Sequence, residues 1–227
     1  MLFAALSGVV AGFVHVLSGP DHLAAVAPLA ADSGRRHWLT GLDWGVGHTG
    51  GVLLVGLLAL LLRELIPVDA ISSWGERLVG VVLIGIGIWG VRRALGLSVH
   101  VHEHAHDGMR HEHVHVHAGD AGHAHAPGQA LPHSHTHAAF GIGVLHGLAG
   151  SSHLLGILPA LAFVTRAESV AYLGAFGVAT VAAMTAFAAG IGRIAARARS
   201  GGAGFYRSLL YGCSGAAIVV GGVWLFA

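Results

Sequence analysis

Long uncharged apolar runs are the feature of this sequence that most limits its fold. Charged residues make up only 10% of the 227 residues, and the mean hydropathy is +0.70. A soluble globular domain carries about 25% charged residues, which it needs to cover its water-facing surface. The composition therefore predicts a polytopic membrane protein and excludes most soluble enzyme folds. The formal net charge of +1 also leaves no basic footprint for nucleic acid.

Six segments are apolar enough to form membrane-spanning helices, each of which needs about 20 residues. They are residues 1–31 (interrupted by Asp21 and His22), 39–62, 74–91, 138–165, 169–192 and 208–227. The sequence thus predicts an all-α polytopic membrane protein with six transmembrane helices and the lipid bilayer as its main partner. No basic residue precedes the first run, so we expect a mature helix there and not a cleaved signal peptide.

The arginines predict the orientation of the chain in the membrane. All 12 basic residues are arginines, and most of them fall in the first, third and fifth loops of the six-helix arrangement. The positive-inside rule places arginine-rich loops in the cytoplasm. We therefore expect a multi-pass protein of a bacterial-type cytoplasmic (inner) membrane, with both termini outside and the central loop inside.

An internal repeat relates the two halves of the chain at a constant offset of 131 residues. Gly12, His15, Gly19, His22, Leu23 and Pro28 align with Gly143, His146, Gly150, His153, Leu154 and Pro159. Two histidines and a proline at matched spacing are difficult to obtain by chance, even in a glycine-rich chain. The repeat predicts three units, which are a first three-helix repeat (1–97), a histidine-rich cytoplasmic loop (98–137) and a second three-helix repeat (138–227).

Because each repeat has three helices, the second repeat must lie inverted in the membrane relative to the first. Inverted repeats recur in secondary transporters, whose sites lie near the membrane midplane between interrupted helices. Glycine permits unusual backbone conformations and proline removes a backbone donor. We therefore expect the first helix of each repeat to be broken, at Gly19-Pro20 in one and at Gly150-Ser151 in the other.

Ionisable residues within these apolar runs are the candidate functional residues. An aspartate costs about 2.5–3.5 kcal/mol at the centre of a membrane helix, and ionisable groups there are functional by default. The predicted metal ligands are His15, Asp21, His22, His48, His146 and His153. Imidazole and carboxylate suit divalent transition metals, and the single Cys213 offers no thiolate cluster that would select Cu(I). The pattern predicts a buried site for a divalent metal ion.

The central loop is a second candidate metal-binding segment. Most of its histidines alternate with other residues, so that neighbouring imidazoles share one face of an extended chain. They are His100, His102, His104, His106, His111, His113, His115, His117, His123, His125, His133, His135 and His137. Histidine-rich tracts are typical of metal binding. We expect weak binding at many positions, which buffers or delivers metal and is lost on acidification.

The His15–His22 segment, with the adjacent pair Asp21-His22, resembles the helix motif of nickel/cobalt transporters of the NiCoT/NicO type, which include urease-accessory membrane proteins. In that family four residues separate the histidine from the Asp-His pair, whereas five do so here. Phe176–Thr180 with Met184 resembles a second segment of the group, and the acidic second motif of its high-affinity permeases is absent. The resemblance implies translocation of Ni²⁺ or Co²⁺, with His15, Asp21 and His22 carried over as the site.

The sequence therefore predicts a non-enzymatic transporter of a divalent transition metal, most of all nickel, without a tightly bound cofactor. Two alternatives stay open at this point. One is an exporter of another solute such as an anion, in which the histidines join helices. The other is a membrane metallochaperone that feeds an apoenzyme such as urease, for which the central loop would be essential.

Overall fold

The computed structural model describes residues 1–33, 36–62, 68–106, 109–118, 134–149 and 156–226. In these ranges seven α-helices form the body of the molecule, and a two-stranded hairpin and a short 3-10 helix (Leu158–Ala162) complete it. The helices are α1 (Leu2–Ser18), α2 (Pro20–Asp32), α3 (His37–Leu62), α4 (Val68–Leu95), α5 (Ser134–Ala149), α6 (Arg166–Ser200) and α7 (Ala203–Phe226). The strands are β1 (Leu97–His106) and β2 (Met109–Ala118).

Several of these helices have the length and composition of membrane spans. Arg77–Leu95 of α4, all of α6 and Gly204–Phe226 of α7 qualify singly, and α1 with α2 qualifies as one bent pair. Large apolar side chains face outwards, such as Phe3 (77% exposed) and Val178 (72% exposed), while Asp21 and three histidines are buried. This distribution is the reverse of that in a soluble protein. The chain is an α-helical, multi-pass membrane protein, as the sequence predicts.

The first apolar run is divided into two helices where the sequence predicts a break. Gly19 has an extended backbone (φ −90°, ψ 97°), and Pro20 is the first residue of α2. Proline lacks an N–H and has a fixed φ, so it begins a helix more readily than it continues one. The axes of α1 and α2 consequently differ by 72°. The corresponding residues of the second repeat, Gly150 and Ser151, lie outside the described residues.

Glycines let the helices approach each other closely and fix their relative directions. Two successive contacts between a pair of helices show their relative direction. The residue numbers rise together in a parallel pair, and one rises while the other falls in an antiparallel pair. Helix α1 is parallel to α6 (Gly8 with Tyr172, Gly12 with Phe176) and α3 is parallel to α5 (Trp44 with Gly143, His48 with Gly147). Helix α3 is antiparallel to α6 (Gly41 with Met184, Gly45 with Val181) and α4 is antiparallel to α7 (Gly80 with Gly221, Gly87 with Ser214). The largest buried cluster includes Val26, Trp44, Leu83 and Met184, so it joins α2, α3, α4 and α6.

These directions give the bundle two ends. We call one of them the N-terminal end. Helices α1 and α6 begin there, and α7 ends there. At the opposite end, Arg93 donates from Nε to Asp32 Oδ1 (2.9 Å), which ties α4 to α2. Arg199 donates to the carbonyl of Ala31 and to the hydroxyl of Tyr206, each at 2.6 Å. Polar contacts therefore hold the helices together at the opposite end.

The hairpin is a feature that the sequence analysis did not predict. Strands β1 and β2 are antiparallel, and their register places His100 opposite His115, His102 opposite His113 and His104 opposite His111. Strict alternation of residue types over ten positions is a strand pattern, but by itself it predicts an extended chain and not the strand with which that chain pairs. His135 and His137 lie in the first turn of α5, and His123, His125 and His133 lie outside the described residues.

We predict that replacing Gly143 with alanine destabilises the α3–α5 contact. A Cβ at Gly143 would collide with the backbone carbonyl of Trp44, whereas a Cβ at Gly141 on the same helix meets nothing within 4 Å. Overpacking of this kind costs about 1–3 kcal/mol, while Gly141→Ala gains about 0.5–1 kcal/mol of helix stability. Thermal unfolding of both variants in detergent checks this. Equal midpoints would contradict the close approach of these two helices.

Candidate metal site

Five of the six predicted metal ligands come together between α1, α2, α3 and α5. His15 lies in the last turn of α1, Asp21 and His22 lie in the first turn of α2, His48 is in α3, and His146 is in the last turn of α5. The helix break at Gly19-Pro20 brings Asp21 and His22 next to His15, because the chain turns sharply there. The sixth residue, His153, lies outside the described residues.

Three imidazole nitrogens converge on one point of this site. His48 Nε2 lies 3.2 Å from His15 Nε2 and 3.3 Å from His22 Nε2. Two imidazole nitrogens that bind one tetrahedral ion at 2.0–2.1 Å are about 3.3 Å apart. One N–H group can form a hydrogen bond within only one of these two nitrogen pairs, whereas a cation can accept the lone pairs of all three nitrogens. These three histidines could therefore hold one metal ion, since their ligand atoms all lie within 4.8 Å of one another.

Asp21 fixes the orientation of two of the histidines. Its Oδ1 lies 3.1 Å from His22 Nδ1, and its Oδ2 lies 2.9 Å from His146 Nε2. An ionised carboxylate only accepts hydrogen bonds, so His22 donates from Nδ1 and keeps its lone pair on Nε2, towards His15 and His48. A carboxylate behind a ligating histidine is the usual outer shell of a metal centre. Asp21, His22 and His146 also form a second group whose ligand atoms lie within 4.8 Å of one another.

The site is buried and carries a carboxylate. Asp21, His22, His48 and His146 are at most 3% exposed. A buried ionised carboxylate is costly unless it is paired or coordinates a cation. A divalent cation would compensate the negative charge of the Asp21 carboxylate. An anion would find a carboxylate and imidazole lone pairs, both of which repel it.

Trp44 is a residue of the site that the sequence analysis missed. Its ring stacks on His48 with the ring centroids 4.9 Å apart and the planes at 14°. The same ring lies 5.2 Å from His146 and presents an edge contact to His22 at 5.7 Å. Trp44 precedes His48 by four residues and therefore shares its helix face, which is the signal that could have identified it.

One cavity leads to the cluster. It has a volume of about 360 Å³ and is lined by His15, Asp21 and His22 together with Tyr172 of α6 and Trp224 of α7. Tyr172 lies near the start of α6 and Trp224 near the finish of α7, so this cavity lies towards the N-terminal end of the bundle. Tyr172 also donates to the carbonyl of Gly156 at 2.8 Å, which orders the cavity wall.

Comparison with known proteins identifies relatives along most of the chain. The urease accessory protein UreH of Bacillus sp. (strain TB-90) is 32% identical over 188 residues, which cover 82% of this chain and 74% of that protein. The chain belongs to the UreH family. No family model and no solved structure matches it.

Two plant proteins are also similar to this chain. The chloroplast proteins FOR GROWTH AND FERTILITY 1 and 2 of Arabidopsis thaliana are each 33% identical to this chain, over 84% and 85% of its length. The chain spans about half the length of these relatives (50% and 48%). The relatives are named for accessory and growth functions.

Proposed function

We propose that the protein moves a divalent transition-metal ion, nickel or cobalt, across the membrane through the buried His/Asp cluster. The observation that carries this proposal is the convergence of His15, His22 and His48 Nε2 at 3.2 and 3.3 Å. Imidazole ligands suit nickel, cobalt, copper and zinc. The UreH relative is named as a urease accessory protein, and urease requires nickel, which favours nickel among these metals.

In this proposal the cluster residues have different roles. His15, His22 and His48 bind the ion through Nε2. Asp21 supplies negative charge and holds His22 in the ligating tautomer, and His146 donates to the second oxygen of Asp21. His153, the counterpart of His22 in the repeat, is proposed as a further ligand from the second half of the chain.

The proposed architecture is six transmembrane helices in two inverted repeats, comprising residues 1–97 and 138–227. The repeat equates α1 with α5, α3 with α6 and α4 with α7. This exchange converts the parallel pair α1–α6 into the pair α5–α3, which is also parallel. In the pairs α3–α6 and α4–α7, the two helices exchange with each other. A two-fold axis in the membrane plane requires such pairs to be antiparallel, and both are. These directions support inverted repeats, and alternating access would follow from movement of one repeat against the other.

The proposed location is the cytoplasmic membrane, with the N-terminal end outside and the histidine-rich loop inside. The arginine distribution supports this orientation. The cavity that reaches His15 and His22 would then open towards the outside, and the loop would meet the ion on the cytoplasmic side. There it would capture ions after import or collect them before export.

Deleting residues 100–137 should change metal accumulation more than the transport step itself. The deleted segment contains most of the chain's histidines but none of the buried cluster. We expect the initial rate of nickel uptake to be unchanged. At longer times, cells with the deleted protein should tolerate less nickel or retain less of it. Time courses of radioactive nickel in cells with the intact and deleted proteins check this, and complete loss of initial uptake would contradict it.

A second candidate function is a membrane metallochaperone for a urease-type apoenzyme, and the name of the UreH relative favours it. In that case the loop would be essential for enzyme activation, and the buried histidines would be dispensable. A urease activation assay with the loop deletion and with His22→Ala separates the two functions. Export of an anion is not favoured by a site built from a carboxylate and imidazole lone pairs.

The direction of transport follows from the metal content of cells with and without this chain at low external nickel, measured by mass spectrometry. Raised nickel indicates import, and lowered nickel with greater tolerance indicates export. Unchanged contents of nickel, cobalt and zinc would contradict the proposal of a metal transporter.

A further inference from the structure

Three side chains of α3 form one inward-facing stripe. Thr40, Trp44 and His48 are spaced four residues apart, so they lie on the same helix face. They are 7%, 0% and 0% exposed. Helix α3 begins at the opposite end of the bundle, so the stripe runs from that end to the metal site, with Trp44 between Thr40 and His48.

Among the described residues, the histidine cluster faces a cavity on one side and the Trp44 ring on the other. The 360 Å³ cavity reaches His15, Asp21 and His22 from the N-terminal end. The Trp44 ring covers the other side, where it stacks on His48 and contacts His22 and His146. An ion that has entered from the cavity would therefore meet the indole before it could advance.

Polar groups continue beyond the indole towards the opposite end. The hydroxyls of Thr40 and Ser33 lie 2.7 Å apart. The residue before Ser33, Asp32 at the end of α2, forms the ion pair with Arg93. These groups connect α2, α3 and α4, and the indole separates them from the histidine cluster. The hydroxyl oxygens of Thr40 and Ser33 would be available to a cation that leaves the site in this direction.

The indole is held by packing and not by a hydrogen bond. In the part of the chain that the structure describes, Trp44 Nε1 is buried and has no hydrogen-bond partner. Buried polar groups normally have one. Because no hydrogen bond must be broken, the ring can change rotamer at a lower cost than a fully bonded buried tryptophan.

We propose that Trp44 is the inner gate of the site and the positioning residue of its histidines. The ring holds His48 and His22 in ligand geometry and closes the route to Thr40 and Ser33, and its displacement opens that route. This inference rests on the proposed transport function and assigns the moving part of the same site. Trp44 acts through His48 and His22, so it is not itself a ligand.

The gate is tested by thiol labelling, which does not depend on metal transport. In a Cys213→Ala background, Thr40→Cys provides one reactive position just beyond the indole. A membrane-impermeant cationic methanethiosulfonate is added from the side that carries an N-terminal epitope tag, and the labelling rate is measured. We expect at least a tenfold faster rate in Trp44→Ala than with Trp44 present, and little change in Trp44→Phe. Trp38→Ala, an exposed tryptophan of the same helix, is the matched control and should leave the rate unchanged.

An unchanged labelling rate in a folded Trp44→Ala variant would overturn the gate. If Trp44→Ala does not fold, as judged by size-exclusion chromatography, Trp44→Leu replaces it. Faster labelling in a protein that moves no metal would support the gate and contradict the transport function, so the two failures are distinguishable.

The positioning role has its own measurement, the visible absorption spectrum of Co²⁺ added to the purified protein. Trp44→Phe should keep the wild-type spectrum, because a ring still supports His48. Trp44→Ala should shift it, because the imidazoles lose their support. Identical spectra in all three proteins would overturn the positioning role.

Discussion

Replacing His22 with alanine should abolish the difference in nickel content between cells that contain the protein and cells that lack it. His22 joins both ligand groups of the cluster, since its Nε2 faces His48 and its Nδ1 faces Asp21. The substitution removes one of three converging nitrogens and also leaves Asp21 without one of its two histidine partners. The measurement is nickel uptake at matched amounts of protein in the membrane.

His37→Ala is the control for this variant, because His37 begins α3 outside the cluster. We expect it to retain the uptake of the unmodified chain. Undiminished uptake by a correctly inserted His22→Ala protein would show that the ion does not pass through this cluster.

The substitution Asp21→Asn should weaken metal binding while keeping the shape of the site. The amide has the size of the carboxylate, but it carries no charge and no longer fixes which nitrogen of His22 keeps the lone pair. Loss of such an outer-shell carboxylate costs about 10–100-fold in metal affinity. Titration of the purified protein with Ni²⁺ against a competing chelator measures the change.

Asp32→Asn is the matched control, because Asp32 pairs with Arg93 at the opposite end of the bundle and away from the cluster. Its affinity for Ni²⁺ should stay within about twofold of the unmodified protein. Equal affinities of the Asp21→Asn and unmodified proteins would contradict the role assigned to Asp21.

The position of the helix break and the identity of the clustered residues could be read from the sequence. Gly19-Pro20 restricts the local backbone whatever surrounds it, and the pair His15 and His22 recurs as His146 and His153 in the second half. A pattern of this kind shows which residues are unusual in a membrane segment. The sequence therefore pointed to His15, Asp21, His22, His48, His146 and His153. The structure brings the first five together, and His153 lies outside the described residues.

The contacts among these residues could not be read from the sequence, because they depend on how helices pack. Trp44 is one apolar residue among many until α3 is placed against α2 and α5 and its ring lies on His48. The contact of the His15 ring with the His22 ring depends likewise on the 72° bend between α1 and α2. The hairpin was missed for another reason, since its alternating pattern predicts an extended chain but not the partner strand.

The most direct test of metal transport through this cluster is nickel influx into proteoliposomes that contain the purified protein and an entrapped metal-sensing dye. The account predicts that liposomes with the unmodified chain take up Ni²⁺ faster than protein-free liposomes, and that liposomes with His22→Ala do not. Influx that is equal in all three preparations, or equal in the unmodified and His22→Ala proteins, would contradict it.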